Sequence, residues 1–328
     1  MKKKRATKGK GSRKPRAPEP PPKLFSLARM PRVDSHVHLH NIDAMAKFRR
    51  GMHGFGIDVA VSLGFQRSRE LVDEMSEVDR RFKGRILFAP GIGFRLAAGG
   101  TKGGLWWSMK DLPRFKAAGC VGTKIYAQYS LGLTKRSIMS KIRRQGEVGL
   151  PLIGLHICDP PEPGWYHPNF DAAIDEAERL IAGCPGTTFI MAHGFWLMNT
   201  DRHLDVLDRL FRKYPNLNVD LSAVYQWWDA PEPGQAKLRD FIIRHKARLL
   251  YATDGNERYS KKRHYQNSFR MLETREKNCH GFFPPRYEPT YITGFGLPKE
   301  VLNYIYWWNA ARLIPRVRDS LRGLGYDV

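Results

Sequence analysis

The chain has 328 residues, of which 42% are hydrophobic and 12% aromatic, enough to bury a sizeable core in one large domain or two ordinary ones. Composition excludes collagen-like, coiled-coil and wholly disordered architectures. No apolar run reaches the roughly 18 residues of a membrane span, and no apolar stretch of a secretory signal follows the charged N-terminus. The net charge is +23, and residues 1–32 hold 12 Lys or Arg against one acid, Glu19.

The opening segment, MKKKRATKGKGSRKPRAPEPPPK, combines a basic run with five prolines and almost no apolar side chains. Such a segment cannot bury enough apolar surface to offset its ordering entropy. A disordered Lys/Arg/Pro-rich tail is therefore expected over residues 1–29, followed by one domain over 30–328. One reading of the tail is a solvated segment that aids solubility; the other is an arm whose cations suit weak, salt-sensitive, non-specific binding of polyanions. With no aromatic interleaved among them, they offer no base stacking.

From Pro31 onward, short apolar runs alternate with amphipathic stretches. Strands are expected over 32–38, 57–63, 85–92, 121–126, 152–157, 188–193, 217–221 and 249–253. Most are rich in β-branched residues and short, as buried parallel strands are. Helices are expected over 68–82, 171–181 (with Asp171 in the capping position), 203–214, 235–245 and 298–313. Eight strands alternating with helices predict an α/β fold of the (β/α)8 TIM-barrel type. An open doubly wound sheet is the alternative, but its G-x-G-x-x-G fingerprint is missing after the first strand, which ends in DSHVH.

In a barrel of this kind function gathers at the carboxyl ends of the strands. The first expected strand ends in His36-Val37-His38. Alternation along a strand sends both imidazoles to the same side, into the barrel, where they suit neighbouring positions around a divalent metal. Taken singly, H-x-H is weak evidence, with two ordinary polar residues at a strand end as the alternative. Three further strands end in His156, His193 and Asp254, and all four coinciding at one rim points to a metal centre. Three imidazole nitrogens and one carboxylate oxygen suit Zn²⁺, with Fe²⁺, Mn²⁺ or Co²⁺ also accommodated. The four cysteines (Cys120, Cys158, Cys184, Cys279) lie far apart and form no C-x-x-C pair, which suits a reducing cytoplasm.

The chain resembles the amidohydrolase superfamily over residues 31–315, in the branch that includes α-amino-β-carboxymuconate-semialdehyde decarboxylase. The motifs carrying the resemblance are DSHVH (34–38), VGTKI (121–125), LH (155–156), FIMAHG (189–194), YPNLNVDLS (214–222), YATD (251–254) and LPKEVLNYIYWWNAARLI (297–314). Ala252 stands where the branch usually has Gly. The resemblance implies that His36, His38, His156 and Asp254 hold one divalent metal. It also implies that His193 acts beside the reacting oxygen as a base, orienter or electrostatic helper, with a second-metal or outer ligand role as its alternative. Asp254 would both contact the metal and accept a proton. Lys124 is expected uncarboxylated, as an anion binder or structural group; in some members of the superfamily a carboxylated lysine there bridges two metals.

Arg95, Trp165, Tyr225 and Trp227 on rim segments are expected to contact substrate, each with surface or loop packing as its alternative. The activity expected is hydrolysis of an amide, ester or lactone. Non-oxidative decarboxylation of an aromatic or enol-type acid is the rival enzyme reading, and a nucleic-acid-associated protein with a relict barrel the rival from another class. The partners expected are a small-molecule substrate, polyanions on the tail and further copies of the chain in a homo-oligomer, with no membrane.

Overall fold

The computed structural model describes residues 18–64, 71–92, 112–125, 134–155, 170–198, 200–222, 232–258, 260–277, 279–280 and 291–328. Strand β1 (Val33–His38) is followed by α1 (Ile42–Phe55), β2 (Val59–Gly64), α2 (Leu71–Phe82), β3 (Ile86–Ile92), α3 (Leu112–Ala117), β4 (Lys124–Ile125) and α4 (Arg136–Glu147). The second half runs β5 (Leu152–Leu155), α5 (Phe170–Gly183), β6 (Phe189–Met191), α6 (Asp201–Lys213), β7 (Leu217–Asp220), α7 (Glu232–Arg244) and β8 (Leu249–Leu250). The short strand β9 (Gly255–Asn256), α8 (Lys262–Glu273) and the antiparallel pair β10 (Cys279–His280) and β11 (Tyr291–Ile292) come next. The chain closes with α9 (Lys299–Asn303), a π-helical turn (Tyr304–Trp308), α10 (Asn309–Leu313) and α11 (Pro315–Gly323).

The eight strands close into a parallel barrel. β1 through β4 pair in sequence, as do β5 through β8. A parallel bridge between Thr123 and Leu152 joins the two halves on one side. On the other, Ser35 N donates to Tyr251 O at 3.0 Å and Asp254 N to His36 O at 2.8 Å, and β9 pairs with the end of β1. The strands are short and buried, β2 and β5 throughout, as expected where helices cover the outside of a parallel sheet.

The helices form where sequence supplies both an apolar stripe and a start signal. In α6, Thr200 Oγ1 accepts from His203 N at 3.2 Å, and Leu204, Leu207, Leu210 and Phe211 turn inward. In α1, Asn41 caps Ala44 N at 2.8 Å, and Gly56 ends the helix at φ 76°, a left-handed conformation that glycine adopts at least cost. Helix α5 starts at Phe170, so Asp171 lies in its first turn rather than preceding it.

The π-helical turn has a role in closing the barrel. Tyr251 N, just past β8, donates to Ile305 O at 2.9 Å, so a helical carbonyl takes the backbone donor that the short strand leaves over. Trp307 and Trp308 are buried core residues.

The expected tail boundary at residue 29 is corrected. Residues 18–29 lie against the last helices at the amino-terminal end of the strands. Phe25 N donates to Asn303 Oδ1 at 2.9 Å, Asn303 Nδ2 to Phe25 O at 3.2 Å, and Trp308 Nε1 to Glu19 O at 2.8 Å. The Phe25 ring meets Trp307 and Tyr326 edge-on. One aromatic placed after the prolines supplies the burial that the basic run lacks.

Candidate metal centre

Strand β1 carries the centre. Its register against β2 shifts between Asp34 and Val37, and the two imidazoles meet, His36 Nε2 lying 3.1 Å from His38 Nε2. Asp254 arrives from the segment after β8. Its Oδ1 is 3.2 Å from His36 Nε2 and 2.9 Å from His38 Nε2. Asp254 is held at φ 57°, a left-handed conformation that Asp tolerates better than most residues.

The three donors could hold a metal ion. Two ligands each about 2.0–2.2 Å from a common ion stand roughly 3.0–3.4 Å apart, close to the separations here. The outer hydrogen bonds also leave the correct atoms for ligation. His38 Nδ1 is 2.8 Å from Leu63 O, a carbonyl that only accepts, so the proton sits on Nδ1 and Nε2 offers its lone pair. His36 Nδ1 is 2.8 Å from Asp220 Oδ2, which fixes the same tautomer. Burial and the nearby Lys124 ammonium push the His36 pKa down to about 4, and the same two causes lower that of His38. Both rings are therefore neutral near pH 7, as ligation requires. Burial opposes ionisation of Asp254, but His193, His38 and His36 outweigh it and hold its carboxyl well below the usual range.

Lys124 projects from β4 into the same cluster, with Nζ 3.1 Å from the Nε2 atom of each histidine. It is fully buried, facing the two imidazoles. His193 is reached differently from the sequence expectation. Strand β6 ends at Met191, and His193 opens a turn, His193–Trp196, in which four successive residues have φ of 58°, 60°, 62° and 54°. The turn sets the His193 ring 5.2 Å from that of His36. His156, Arg95, Trp165, Tyr225 and Trp227 lie outside the described residues.

Three residues that sequence reasoning gave no role support the centre. Asp220 ends β7 behind His36. Asp34, in the DSHVH motif, accepts from Thr253 Oγ1 at 2.6 Å, Thr253 N at 3.1 Å and Tyr265 OH at 2.8 Å. It thereby ties the strand bearing His36 to the segment bearing Asp254, and burial raises its pKa to about 7. Ser222 lies between Asp220 and His193. The sequence signal for Asp220 and Ser222 was the alternation in NVDLS, which sends Asn218, Asp220 and Ser222 to one side of the chain.

The fold and this donor cluster define a (β/α)8-barrel protein with a metal-centre arrangement at the carboxyl ends of its strands. A family model described as amidohydrolase matches residues 33–316, and the chain belongs to that family. No curated protein matches the sequence. Among solved structures, a probable 2-pyrone-4,6-dicarboxylic acid hydrolase from Acinetobacter baumannii is similar, with a TM-score of 0.53, 13% identity and coverage of 87% of this chain and 100% of that one. Amidohydrolase 2 from Bifidobacterium longum subsp. infantis is similar at TM-score 0.50 and 13% identity, covering 87% and 99%. A protein of Agrobacterium tumefaciens in its apo form is similar at 0.51 and 13%, covering 90% and 98%. At that identity the likeness shows the barrel fold.

Proposed function

We propose that the chain is a metal-dependent hydrolase that attacks an amide, ester or lactone carbonyl of a small organic molecule with water. The observation that carries the reading is the convergence of His36 Nε2, His38 Nε2 and Asp254 Oδ1 within 2.9–3.2 Å. Membership of the amidohydrolase family and the similarity to a probable 2-pyrone-4,6-dicarboxylic acid hydrolase support it. His156, next after β5, is the fourth donor in this reading. A divalent ion, Zn²⁺ by the donor set and otherwise Fe²⁺, Mn²⁺ or Co²⁺, would supply Lewis acidity and bring the pKa of water toward about 7.

The chain's own residues do the rest. Asp254, ionised and with its side chain one-quarter exposed, takes the proton from the attacking water. His193, beside His36, acts as a base or orienter toward the attacking water. Arg95, Trp165, Tyr225 and Trp227 are assigned to the substrate side, and the Lys124 ammonium to drawing in a substrate anion.

Among the described residues, Cys120, Cys184 and Cys279 are free, buried thiols, which suits a cytoplasmic location, and no helix is long and apolar enough to cross a membrane. The basic residues 1–17 are assigned to weak polyanion binding and the barrel to a homo-oligomer.

The test is metal analysis followed by a screen of lactones, esters, amides and hydroxybenzoates with CO2 detection. About one equivalent of divalent metal per chain is expected, lost together with hydrolysis in the His36→Ala/His38→Ala variant. Full turnover in exhaustively demetallated protein would overturn the reading. CO2 release from a hydroxybenzoate, with no hydrolysis of the other substrates, would replace hydrolase by carboxy-lyase.

A further inference from the structure

We infer that Asp220 is a positioning residue shared by two imidazoles: directly, it sets the tautomer of His36, and through the Ser222 hydroxyl it sets that of His193. The inference rests on the proposed metal centre for what His36 does, and on hydrogen-bond chemistry alone for the proton positions.

The donor count settles the arrangement. Asp220 is fully buried. Four donors converge on its two oxygens, as on a carboxylate that only accepts. Oδ1 receives His193 N at 3.0 Å, Ser222 N at 3.0 Å and Ser222 Oγ at 2.5 Å. Oδ2 receives His36 Nδ1 at 2.8 Å. The single hydroxyl proton of Ser222 is thus committed to Asp220. Its oxygen can then only accept, from His193 Nδ1 at 2.9 Å and, more distantly, from His36 Nδ1 at 3.2 Å. The Ser222 carbonyl, 3.2 Å from the same nitrogen, also only accepts. Both neighbours require the His193 proton on Nδ1, which leaves Nε2 with its lone pair.

One carboxylate therefore holds two rings in the same protonation pattern, with the proton on Nδ1 and the lone pair on Nε2. Asparagine at 220 would break the pattern in a defined way. The three donors converging on Oδ1 would keep the amide oxygen there and turn its NH2 toward His36 Nδ1. His36 would have to move its proton to Nε2, the atom that faces His38 and Asp254.

Two measurements test the relay. The first is ¹⁵N-histidine NMR on metal-free protein, which reports which ring nitrogen of His193 carries the proton whether or not the metal-site reading holds. Protonation at Nδ1 is expected. Protonation at Nε2 in the parent would overturn the inference. The second is zinc affinity by chelator competition. Asp220→Asn is expected to bind zinc about 10–100-fold more weakly, the usual cost of losing a ligand's outer partner. Ser222→Ala should bind within about twofold of the parent but lose roughly fivefold to tenfold in kcat, the scale of one hydrogen bond, with KM unchanged. Ser222→Thr should restore it. Unchanged zinc affinity in Asp220→Asn, or unchanged kcat in Ser222→Ala, would overturn the relay.

Discussion

The imidazole of His193 and the indole of Trp196 stack with centroids 4.6 Å apart and planes 30° from parallel. They do so from opposite ends of one turn that coils left-handed. Three of its four residues are not glycine, and each costs about 1–2 kcal/mol in that conformation. Phe195 N donates to Ala192 O at 2.9 Å, Leu197 N to Gly194 O at 3.1 Å, and all four residues are buried, so the surrounding packing enforces the strain.

The turn makes an inverted stability order the sharpest check on the backbone. Trp196→Ala is expected to lose about 3–5 kcal/mol as a buried ring disappears. Trp196→Gly should lose about 1 kcal/mol less, because glycine adopts positive φ without penalty. Denaturant titration of both variants reads the difference. Alanine more stable than glycine would mean that residue 196 is not left-handed.

His193 is separable from the metal donors by stoichiometry. His193→Ala is expected to keep about one equivalent of metal while turnover falls roughly 10²–10⁴-fold, the range for a positioned acid or base. Metal analysis and steady-state rates on the same preparation check it. Loss of the metal would move His193 into the coordination sphere.

Lys124 places a cation where the proposed ion draws on the same lone pairs, its Nζ 3.1 Å from each imidazole nitrogen. Like charges at that range repel strongly in a buried site. Lys124→Met is therefore expected to raise zinc affinity several-fold in a chelator competition. A fall instead would show that the lysine is carboxylated and acts as a ligand.

Acid stability has an identifiable contributor on the barrel's outside. Glu178 on α5 accepts two bonds from Arg209, at 3.0 and 2.8 Å, and one each from Lys213 and Tyr214 at 2.8 Å. The Arg209 bonds lead in drawing its pKa down to about 2 from 4.5. The folded state then binds this proton less readily than the unfolded chain, so the stabilisation is present above pH 4.5 and lost as pH falls toward 2. Glu178→Gln should cost about 1 kcal/mol at pH 7. The gap from the parent should close between those two pH values in denaturation curves.

Two truncations distinguish the basic run from the anchored segment. Removal of residues 1–17 takes away nine Lys or Arg and should leave thermal stability unchanged while weakening duplex DNA binding at low salt. Removal of residues 1–28 also deletes Phe25 and should lower stability by about 3 kcal/mol. Thermal melts and gel shifts at two salt concentrations read both effects. Equal DNA binding by all three forms would place the polyanion surface on the barrel.

What was legible in the sequence depended on whether a signal was local. The strands showed because a buried parallel strand is an unbroken apolar run, and His36, His38 and Asp254 showed because they interrupt such runs at their ends. Helices α1, α4 and α8 were not read, since basic residues and glycines dilute their apolar stripes. The left-handed turn at His193 was invisible because nothing in HGFW except one glycine marks positive φ. Asp220 was passed over because its value comes from His36, 184 positions away. The early end of the tail was misplaced for the same reason: Phe25 is anchored by residues near the opposite end of the chain.

That last contact closes the molecule in a second sense. Lys23 Nζ pairs with Asp327 Oδ2 at 2.9 Å, and the Phe25 ring meets Tyr326, so the first described segment and the last residues share one seam. The seam precedes β1, and His38 lies at the far end of that strand, about 20 Å away at some 3.3 Å per residue. Through these non-covalent contacts the two ends of the described chain sit side by side. Joining residue 328 to residue 18 through a short linker would allow the chain to be reopened at a helix-to-strand turn on the same face, as circular permutation does, with the order of strands around the barrel preserved and the metal centre untouched.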